Sequence, residues 1–165
     1  MPKNYSKYLS GLIGENLVVA ELGRRGIVAT NFAGNVPEID ILAYKNGKTT
    51  PIQVKSLKNG SFSVQADEFL NIKFEGKKQV VKGKKKIDRN LIFAIVIIGK
   101  VSGEDRFYIC NKGFIQDLIH KLHKSFLKKH DGIRPKNYLS MHCSYKESHL
   151  SEKRDNWTLI DDALK

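Results

Sequence analysis

Residues 38–57 read EIDILAYKNGKTTPIQVKSL, two apolar runs joined by an Asn-Gly pair. An Asn-Gly pair between apolar runs is a strong β-hairpin signal, because both residues accept positive φ at little cost. Side chains alternate between the two faces of a strand, so Gln53 and Lys55 share one face and the apolar residues beside them share the other. Since Asp40 lies in the first run, an acid, an amide and an ammonium group are expected to meet at one edge of a short hairpin.

A helix and a strand are predicted before this hairpin. Residues 27–32 are rich in β-branched and apolar side chains and favour a strand. Gly26 fits the position just after a helix, where a glycine readily takes left-handed φ. The predicted helix covers residues 6–25, with an apolar stripe at the 3.6-residue period made of Leu9, Leu12, Ile13, Leu17 and Ala20.

The middle of the chain is dominated by a basic segment. Residues 76–90 read GKKQVVKGKKKIDRN, with seven basic residues and one acidic residue. Such a charge run between glycines is typical of a mobile loop or a hairpin. A short strand over 61–64 and a short helix over 66–72 are predicted before it.

Two strands and a helix complete the pattern. Residues 91–98 form a continuous apolar run, which favours a central strand buried on both faces. Residues 106–110 favour another strand, and residues 113–129 an amphipathic helix. The polar tail ends in an apolar run at 157–160, which is expected to dock on the core. The apolar stripe predicted for the helix consists of Ile115, Leu118, Ile119, Leu122 and Phe126.

Size and charge limit the class of protein. The 165 residues suit a single α/β domain over 1–165, with its core at about 6–126 and a C-terminal extension at 130–165. No apolar run approaches the ~20 residues of a membrane span, and the N-terminus lacks the apolar stretch of a signal peptide, so we expect a cytoplasmic protein without a membrane partner. The 29 Lys and Arg against 17 Asp and Glu give a net charge of +12, which favours nucleic acid as the partner.

The order of elements and the polar residues resemble the PD-(D/E)XK nuclease superfamily, and in particular the branch of Holliday-junction resolvases and Mrr-like restriction enzymes. The resemblance covers about residues 6–126. Glu15 matches the acid of the first helix, Asp40 the Asp of the second strand, and Gln53-Val54-Lys55 the element of the third strand. The fold that this implies is restriction-endonuclease-like, a mixed central sheet flanked by helices. The sequence departs from the pattern at Ile39, where the family favours Pro, and at Gln53, where most members have an acid.

The resemblance implies phosphodiester hydrolysis with Mg²⁺ or Mn²⁺. Asp40, Glu15 and Gln53 would hold the metal through oxygen atoms, which hard cations prefer. Lys55 would orient or help to deprotonate the attacking water, or offset the charge of the transition state. DNA phosphates would be held by Lys58, Lys77, Lys78, Lys82, Lys84, Lys85, Lys86 and Arg89.

Three functions remain open at the level of sequence. The first is a metal-dependent DNA endonuclease acting on branched or duplex DNA, with a homodimer expected where both strands are cut. The second is a non-catalytic DNA-binding module on the same fold, which Gln53 favours. The third is an accessory protein whose charge serves an acidic protein or ribosomal RNA. The sequence also leaves Glu21 as an alternative to Glu15 for the helix acid.

Overall fold

The computed structural model describes residues 3–32, 37–58 and 60–165. The chain forms two compact units. The first unit consists of Met1–Gly60, Asn90–Asn111 and Leu150–Lys165, and the second unit consists of Ser61–Arg89 and Lys112–His149. The expectation of a single domain stays a prediction.

Helices and strands alternate irregularly along the chain. The helices are α1 (Lys3–Arg24), α2 (Lys112–Lys129) and α3 (Thr158–Ala163). The strands are β1 (Val28–Asn31), β2 (Ile41–Lys45), β3 (Lys48–Leu57), β4 (Ser61–Gln65), β5 (Leu70–Glu75), β6 (Lys78–Lys84), β7 (Ile92–Ile97), β8 (Arg106–Asn111) and β9 (His142–Lys146).

The first unit is built on a mixed five-stranded sheet in the order β1-β2-β3-β7-β8. The neighbouring pairs β1/β2, β2/β3 and β7/β8 are antiparallel, whereas β3 and β7 are parallel. Every residue of β7 is buried, which confirms the central strand expected from its apolar run. The sheet and α1 confirm the predicted α/β class with a mixed central sheet.

The predicted hairpin is confirmed, with a loop of two residues. Lys45 pairs with Lys48, and Asn46 and Gly47 between them have φ values of 52° and 81°. Two consecutive positive φ values are what a tight type I′ turn requires. This turn fixes the register of β2 against β3.

Helix α1 ends as predicted, but its buried face differs from the predicted stripe. Gly26 has a φ of 69°, and the N–H of Ile27 donates to the carbonyl of Leu22, so the end is a Schellman motif. The predicted stripe was wrong, because Leu12 and Ile13 are exposed while Gly14, Val18 and Leu22 are buried.

The physical reason is the close approach of α1 to β3. A methyl group built at Gly14 would collide with Cβ of Ser56 and lie 2.8 Å from its Oγ. The buried face of α1 therefore includes a glycine, which has no side chain and so does not contribute to an apolar stripe in the sequence. Trp157 and Ile160 lie in the same apolar core as Val18 and Leu22, which confirms that the end of the chain docks there.

The second unit confirms the short strand predicted over 61–64, which is β4, and corrects the predictions for the residues that follow it. The helix predicted over 66–72 was wrong: a 3-10 turn at Ala66–Glu68 leads directly into β5. The hairpin alternative is correct for the first part of the basic segment, because β6 pairs with β5 and leaves a tight turn at Gly76, whereas residues 85–90 follow β6 without regular structure. Each residue of β5 has a partner across this hairpin, and the pairing outweighs the local helical preference of the segment. Strand β9, which pairs with β4, was not predicted at all.

Helix α2 confirms the predicted span but buries polar side chains. Gln116 and His123 are at most 1% exposed and lie on the buried face with Ile115 and Ile119. Gln116 Nε2 donates to the carbonyls of Phe69 and Lys85, so the buried amide is satisfied by backbone. Of the described helices, none is both long and apolar enough to cross a bilayer.

Candidate active site

Asp40 lies immediately before β2, against the neighbouring strand β3. Its N–H donates to the carbonyl of Ile52 at 3.0 Å, and its carbonyl accepts from the N–H of Phe32 at 2.9 Å. Its carboxylate Oδ2 accepts a 2.7 Å hydrogen bond from the N–H of Val54. These bonds hold the carboxylate against β3 and leave Oδ1 without a hydrogen-bond partner among the described residues. A fixed, half-buried carboxylate with one free oxygen is suited to binding a cation.

Glu15 approaches Asp40 from helix α1. Burial raises the pKa of the Glu15 carboxyl, and the negative charge of Asp40 raises this pKa further. The side chain leans back toward the preceding turn of the helix, as helical side chains do, with Oε1 about 4.0 Å from where a Cβ on Gly11 would be. The negative charges of the two carboxylates repel each other, and a cation bound near both would relieve this repulsion.

Glu21, the alternative helix acid, has a different environment. It forms ion pairs with Arg24 and Arg25 on its own helix. Its carboxylate is therefore neutralised locally, whereas the carboxylate of Glu15 interacts with that of Asp40. The structure thus brings Glu15, and not Glu21, to the predicted acid cluster.

Gln53 and Lys55 lie on β3 beside Asp40. Ile41 pairs with Ile52 in an antiparallel register, so Asp40 continues the register opposite Gln53. Gln53 is half-buried and Lys55 is exposed. No carboxylate in the described part of the chain lies within ion-pair distance of Lys55. The ammonium is therefore available to a phosphate or to water.

The position of α1 over this strand depends on residues that the sequence analysis did not single out. Ser56 Oγ donates a 2.6 Å hydrogen bond to the carbonyl of Ser10, at the point where Gly14 contacts β3. These contacts fix the position of α1 on β3, and therefore the position of Glu15 relative to Asp40. A glycine and a serine that touch across two elements leave no pattern in a single sequence.

Asn31, at the end of β1, carries an oxygen without a partner. Its Oδ1 is buried and accepts no hydrogen bond from the described residues. Asn31 pairs with Ile41, which directly follows Asp40. Most buried polar atoms in proteins have a partner, so an unsatisfied oxygen on the strand next to Asp40 is consistent with a site that binds another group.

The oxygen atoms predicted to bind the metal suit a hard cation, but few residues supply them. In residues 3–32, 37–58 and 60–165 no group of three His, Cys, Asp or Glu side chains is placed to hold a metal. The predicted ligands are two carboxylates, Glu15 and Asp40, and the neutral amide oxygen of Gln53. Mg²⁺ commonly binds through one or two carboxylates and keeps several waters, so this set suffices chemically.

The predicted phosphate-binding residues fall into two groups. Three form ion pairs with acids: Lys82 pairs with Glu75 at 2.8 Å, and Lys84 and Arg89 share the single carboxylate of Asp117, at 2.6 and 3.0 Å. The hydrogen bond from Arg89 is the main cause of the lowered pKa of Asp117. The second group of predicted phosphate-binding residues is exposed and forms no ion pair among the described residues; it consists of Lys58, Lys77, Lys78, Lys85 and Lys86.

Most of the net charge lies in the second unit. This unit contains 16 of the 29 Lys and Arg residues but only seven of the 17 acids. The backbone beside its exposed lysines is well held, because Lys85 donates its N–H to Phe69 and accepts a bond from Gln116. The charge is thus carried on an ordered surface rather than on a loose segment.

Comparison with solved structures finds other proteins whose fold is similar to that of this chain. A bacterial homing endonuclease, I-Ssp6803I, superimposes with a TM-score of 0.54 at 14% sequence identity, covering 94% of this chain and 93% of that one. The chain has a restriction-endonuclease-like nuclease fold. The Holliday junction resolvase Hjc of Archaeoglobus fulgidus also matches, with a TM-score of 0.45 at 14% identity, covering 91% of this chain and 95% of the resolvase. No protein-family model and no curated protein sequence matches the chain.

Proposed function

We propose that this chain is a metal-dependent DNA endonuclease that hydrolyses phosphodiester bonds. The observation that carries the proposal is that Glu15, on a helix, lies near enough to Asp40 for the charge of Asp40 to raise its pKa, while Asp40 is hydrogen-bonded to the strand that carries Gln53 and Lys55. Its similarity in fold to a homing endonuclease supports the same conclusion.

The chemistry follows from the residues present. Asp40, Glu15 and Gln53 would hold Mg²⁺ or Mn²⁺ through oxygen atoms. The metal would supply Lewis-acid activation of water and stabilise negative charge on the phosphate. Lys55, exposed and without an ion-pair partner among the described residues, would contact the scissile phosphate or the attacking water.

DNA would be held by exposed cations that form no ion pair among the described residues. Lys58, Lys77, Lys78, Lys85 and Lys86 would contact backbone phosphates, which position DNA without reading its sequence. Lys82, Lys84 and Arg89 would contribute less, because Glu75 and Asp117 offset part of their charge. One compact site cuts one strand, so double-strand cleavage would need a two-fold dimer, which light scattering on the purified protein can detect.

The experiment is cleavage of labelled four-way junction, duplex and single-stranded DNA with Mg²⁺ or Mn²⁺. Wild type should cut at least one substrate, whereas Asp40→Asn and Lys55→Ala should lose at least about 100-fold in rate, because each removes a group that contacts the reacting atoms. Glu21→Gln is the matched control, since Glu21 lies on the same helix as Glu15 but pairs with Arg24 and Arg25. Absence of cutting on every substrate would refute the proposal.

A second candidate is a non-catalytic DNA-binding module on the same fold. Gln53 in place of an acid favours it, as does the absence of a three-residue metal cluster in the described part of the chain. This candidate predicts salt-sensitive DNA binding that is equal in wild type, Asp40→Asn and Lys55→Ala, without cleavage and without a requirement for metal.

A further inference from the structure

A cavity in the second unit lies between the end of α2 and the segment that leads into β9. Its volume is about 350 Å³, within the size range of small-molecule sites. The residues that line it are Phe126, His130, Arg134, Pro135, Lys136, Asn137, Ser140 and His142. No Asp or Glu lines it. None of these residues belongs to the predicted nuclease site.

Arg134 is the dominant charge of this cavity. Its guanidinium carbon lies 4.6 Å from the centre of the Phe126 ring, a cation–π contact that holds the group in place. His130 lies against the same ring, with a centroid distance of 4.5 Å. Arg134 is half-buried, and its guanidinium has no carboxylate partner among the described residues. An oriented arginine that lacks an acid is suited to bind an anion through its fork of N–H donors.

The wall opposite the helix is held by buried side chains. Gln79 Nε2 donates to the carbonyl of Tyr138 at 2.7 Å and to that of Ser140 at 3.0 Å. Gln79 Oε1 then accepts from Nε2 of His123, and both residues are almost fully buried. The backbone of the cavity wall is therefore fixed by strand β6 and helix α2 before any ligand binds.

Asn137 is oriented by a turn within this wall. Its Oδ1 accepts a 3.0 Å hydrogen bond from the N–H of Leu139, and its carbonyl accepts from the N–H of Ser140 at 3.1 Å. Because the amide oxygen is used in the turn, the amide nitrogen Nδ2 is left as a donor. The cavity thus presents an arginine, a lysine and an amide N–H₂, next to the apolar surfaces of Phe126 and Pro135.

We propose that this cavity binds a phosphorylated nucleotide, with Arg134 and Lys136 on the phosphate. The volume is larger than a lone phosphate needs and leaves room for the sugar and the base. The nucleotide can be a free nucleoside monophosphate or the phosphorylated end of a DNA strand, because both offer the same phosphate chemistry. This site is separate in sequence and in residues from Asp40, and the inference does not depend on cleavage.

The test is calorimetric titration of the full-length protein in EDTA, so that no divalent ion reaches the acidic residues. The probes are thymidine 5′-monophosphate, thymidine, inorganic phosphate, and a single-stranded octamer with either a 5′-phosphate or a 5′-hydroxyl. We expect the monophosphate to bind at least about tenfold more tightly than thymidine, since charge-assisted hydrogen bonds to the phosphate account for the difference. Tighter binding of the octamer with the 5′-phosphate than of the octamer with the 5′-hydroxyl would identify a strand end as the source, and equal binding of the two octamers a free nucleotide.

Three variants assign the binding to the cavity. Arg134→Ala should weaken binding of thymidine monophosphate at least about tenfold. Asn137→Asp keeps the acceptor for Leu139 but adds a negative charge, so it should also weaken binding without removing a packed side chain. Lys121→Ala removes an exposed cation of α2 that does not line the cavity and should bind like wild type.

Failure of this inference is distinguishable from failure of the proposed nuclease. Asp40→Asn should bind thymidine monophosphate as wild type does, whether or not wild type cuts DNA. Equal binding of thymidine and its monophosphate, no binding of any phosphorylated probe, or unchanged binding in both Arg134→Ala and Asn137→Asp would each overturn the inference.

Discussion

The N–H of Val54 donates a 2.7 Å hydrogen bond to Oδ2 of Asp40. This bond joins the predicted metal-binding carboxylate to the strand that carries Gln53 and Lys55. Asp40 therefore has two separable roles, as a hydrogen-bond acceptor for the fold and as a charge for the site.

The two roles of Asp40 are separated by a pair of substitutions. Asp40→Ala leaves the N–H of Val54 without its acceptor, which should lower the free energy of unfolding by about 1–3 kcal/mol. Asp40→Asn retains an oxygen acceptor and should unfold close to wild type, although both variants lose the charge. Thermal unfolding followed by circular dichroism in EDTA measures the difference. Equal loss of stability in both variants would contradict the structural role of this bond.

Glu15 is expected to lower stability at neutral pH. Its pKa is raised in the folded protein by burial and by Asp40, so folding favours the protonated form. The stability from this group is fully present below the ordinary value of 4.5 and is lost as the pH rises through the folded-state pKa. Glu15→Gln should therefore have a higher Tm than wild type at pH 7 and a similar Tm at pH 4.

Glu21→Gln is the control for this prediction, because it removes the ion pairs with Arg24 and Arg25. It should be neutral or destabilising by less than about 1 kcal/mol at pH 7. A Glu15→Gln protein that is less stable than wild type at pH 7 would contradict the prediction that the buried charge of Glu15 destabilises the fold.

Two glycines of α1 provide a test of how the helix contacts the sheet. Gly14→Ala introduces a methyl group against Ser56 and should cost about 1–3 kcal/mol through overpacking. Gly23→Ala meets no atom within 4 Å and should raise stability by up to ~1 kcal/mol through helix propensity. Chemical denaturation of both variants measures the two effects, and a Gly14→Ala variant as stable as wild type would refute the close contact. Cleavage by Gly14→Ala should also fall, since Glu15 would be displaced.

His123 should make the protein acid-sensitive. Burial lowers its pKa to about 4, and the charge of Arg134 lowers it as well, so the folded protein holds the neutral ring that donates to Gln79. Its contribution is complete above the ordinary value of 6.5 and is lost as the pH falls toward 4. A shift of this size corresponds to about 3 kcal/mol. His123→Gln should show a flatter stability profile between pH 7 and pH 4 in denaturant titrations, and parallel profiles would contradict the prediction.

The salt dependence of DNA binding should distinguish the lysines that form no ion pair among the described residues from those that are paired with an acid. If Lys85 and Lys86 each neutralise a phosphate, the double variant Lys85→Ala/Lys86→Ala should reduce the slope of log K against log salt by about 1.8 for duplex DNA. Lys82→Ala/Lys84→Ala is the matched control, because Lys82 is paired with Glu75 and Lys84 shares Asp117 with Arg89. Equal changes of slope in the two double variants would show that the ion pairs open on binding.

The sequence predicted the first unit better than the second. Local signals were strong in the first unit: an Asn-Gly turn, a glycine after α1 and a continuous apolar run for β7. In the second unit, β9 pairs with β4, which lies far from it in the chain, so the residues of β9 alone did not indicate a strand. The span of α2 was predicted, but its buried Gln116 and His123 were not, since burial of a polar group depends on acceptors supplied by other elements.

The sequence by itself determined the α/β class, the hairpin and the alternation that places Gln53 and Lys55 on one face of β3, because these follow from local backbone geometry. Only the tertiary structure decided that Glu15 rather than Glu21 approaches Asp40. That choice depends on the contact of Gly14 with Ser56, which sets the rotation of α1 over the sheet. Likewise, only the tertiary structure shows which lysines form ion pairs with acids, because an ion pair between two helices or strands depends on how they pack.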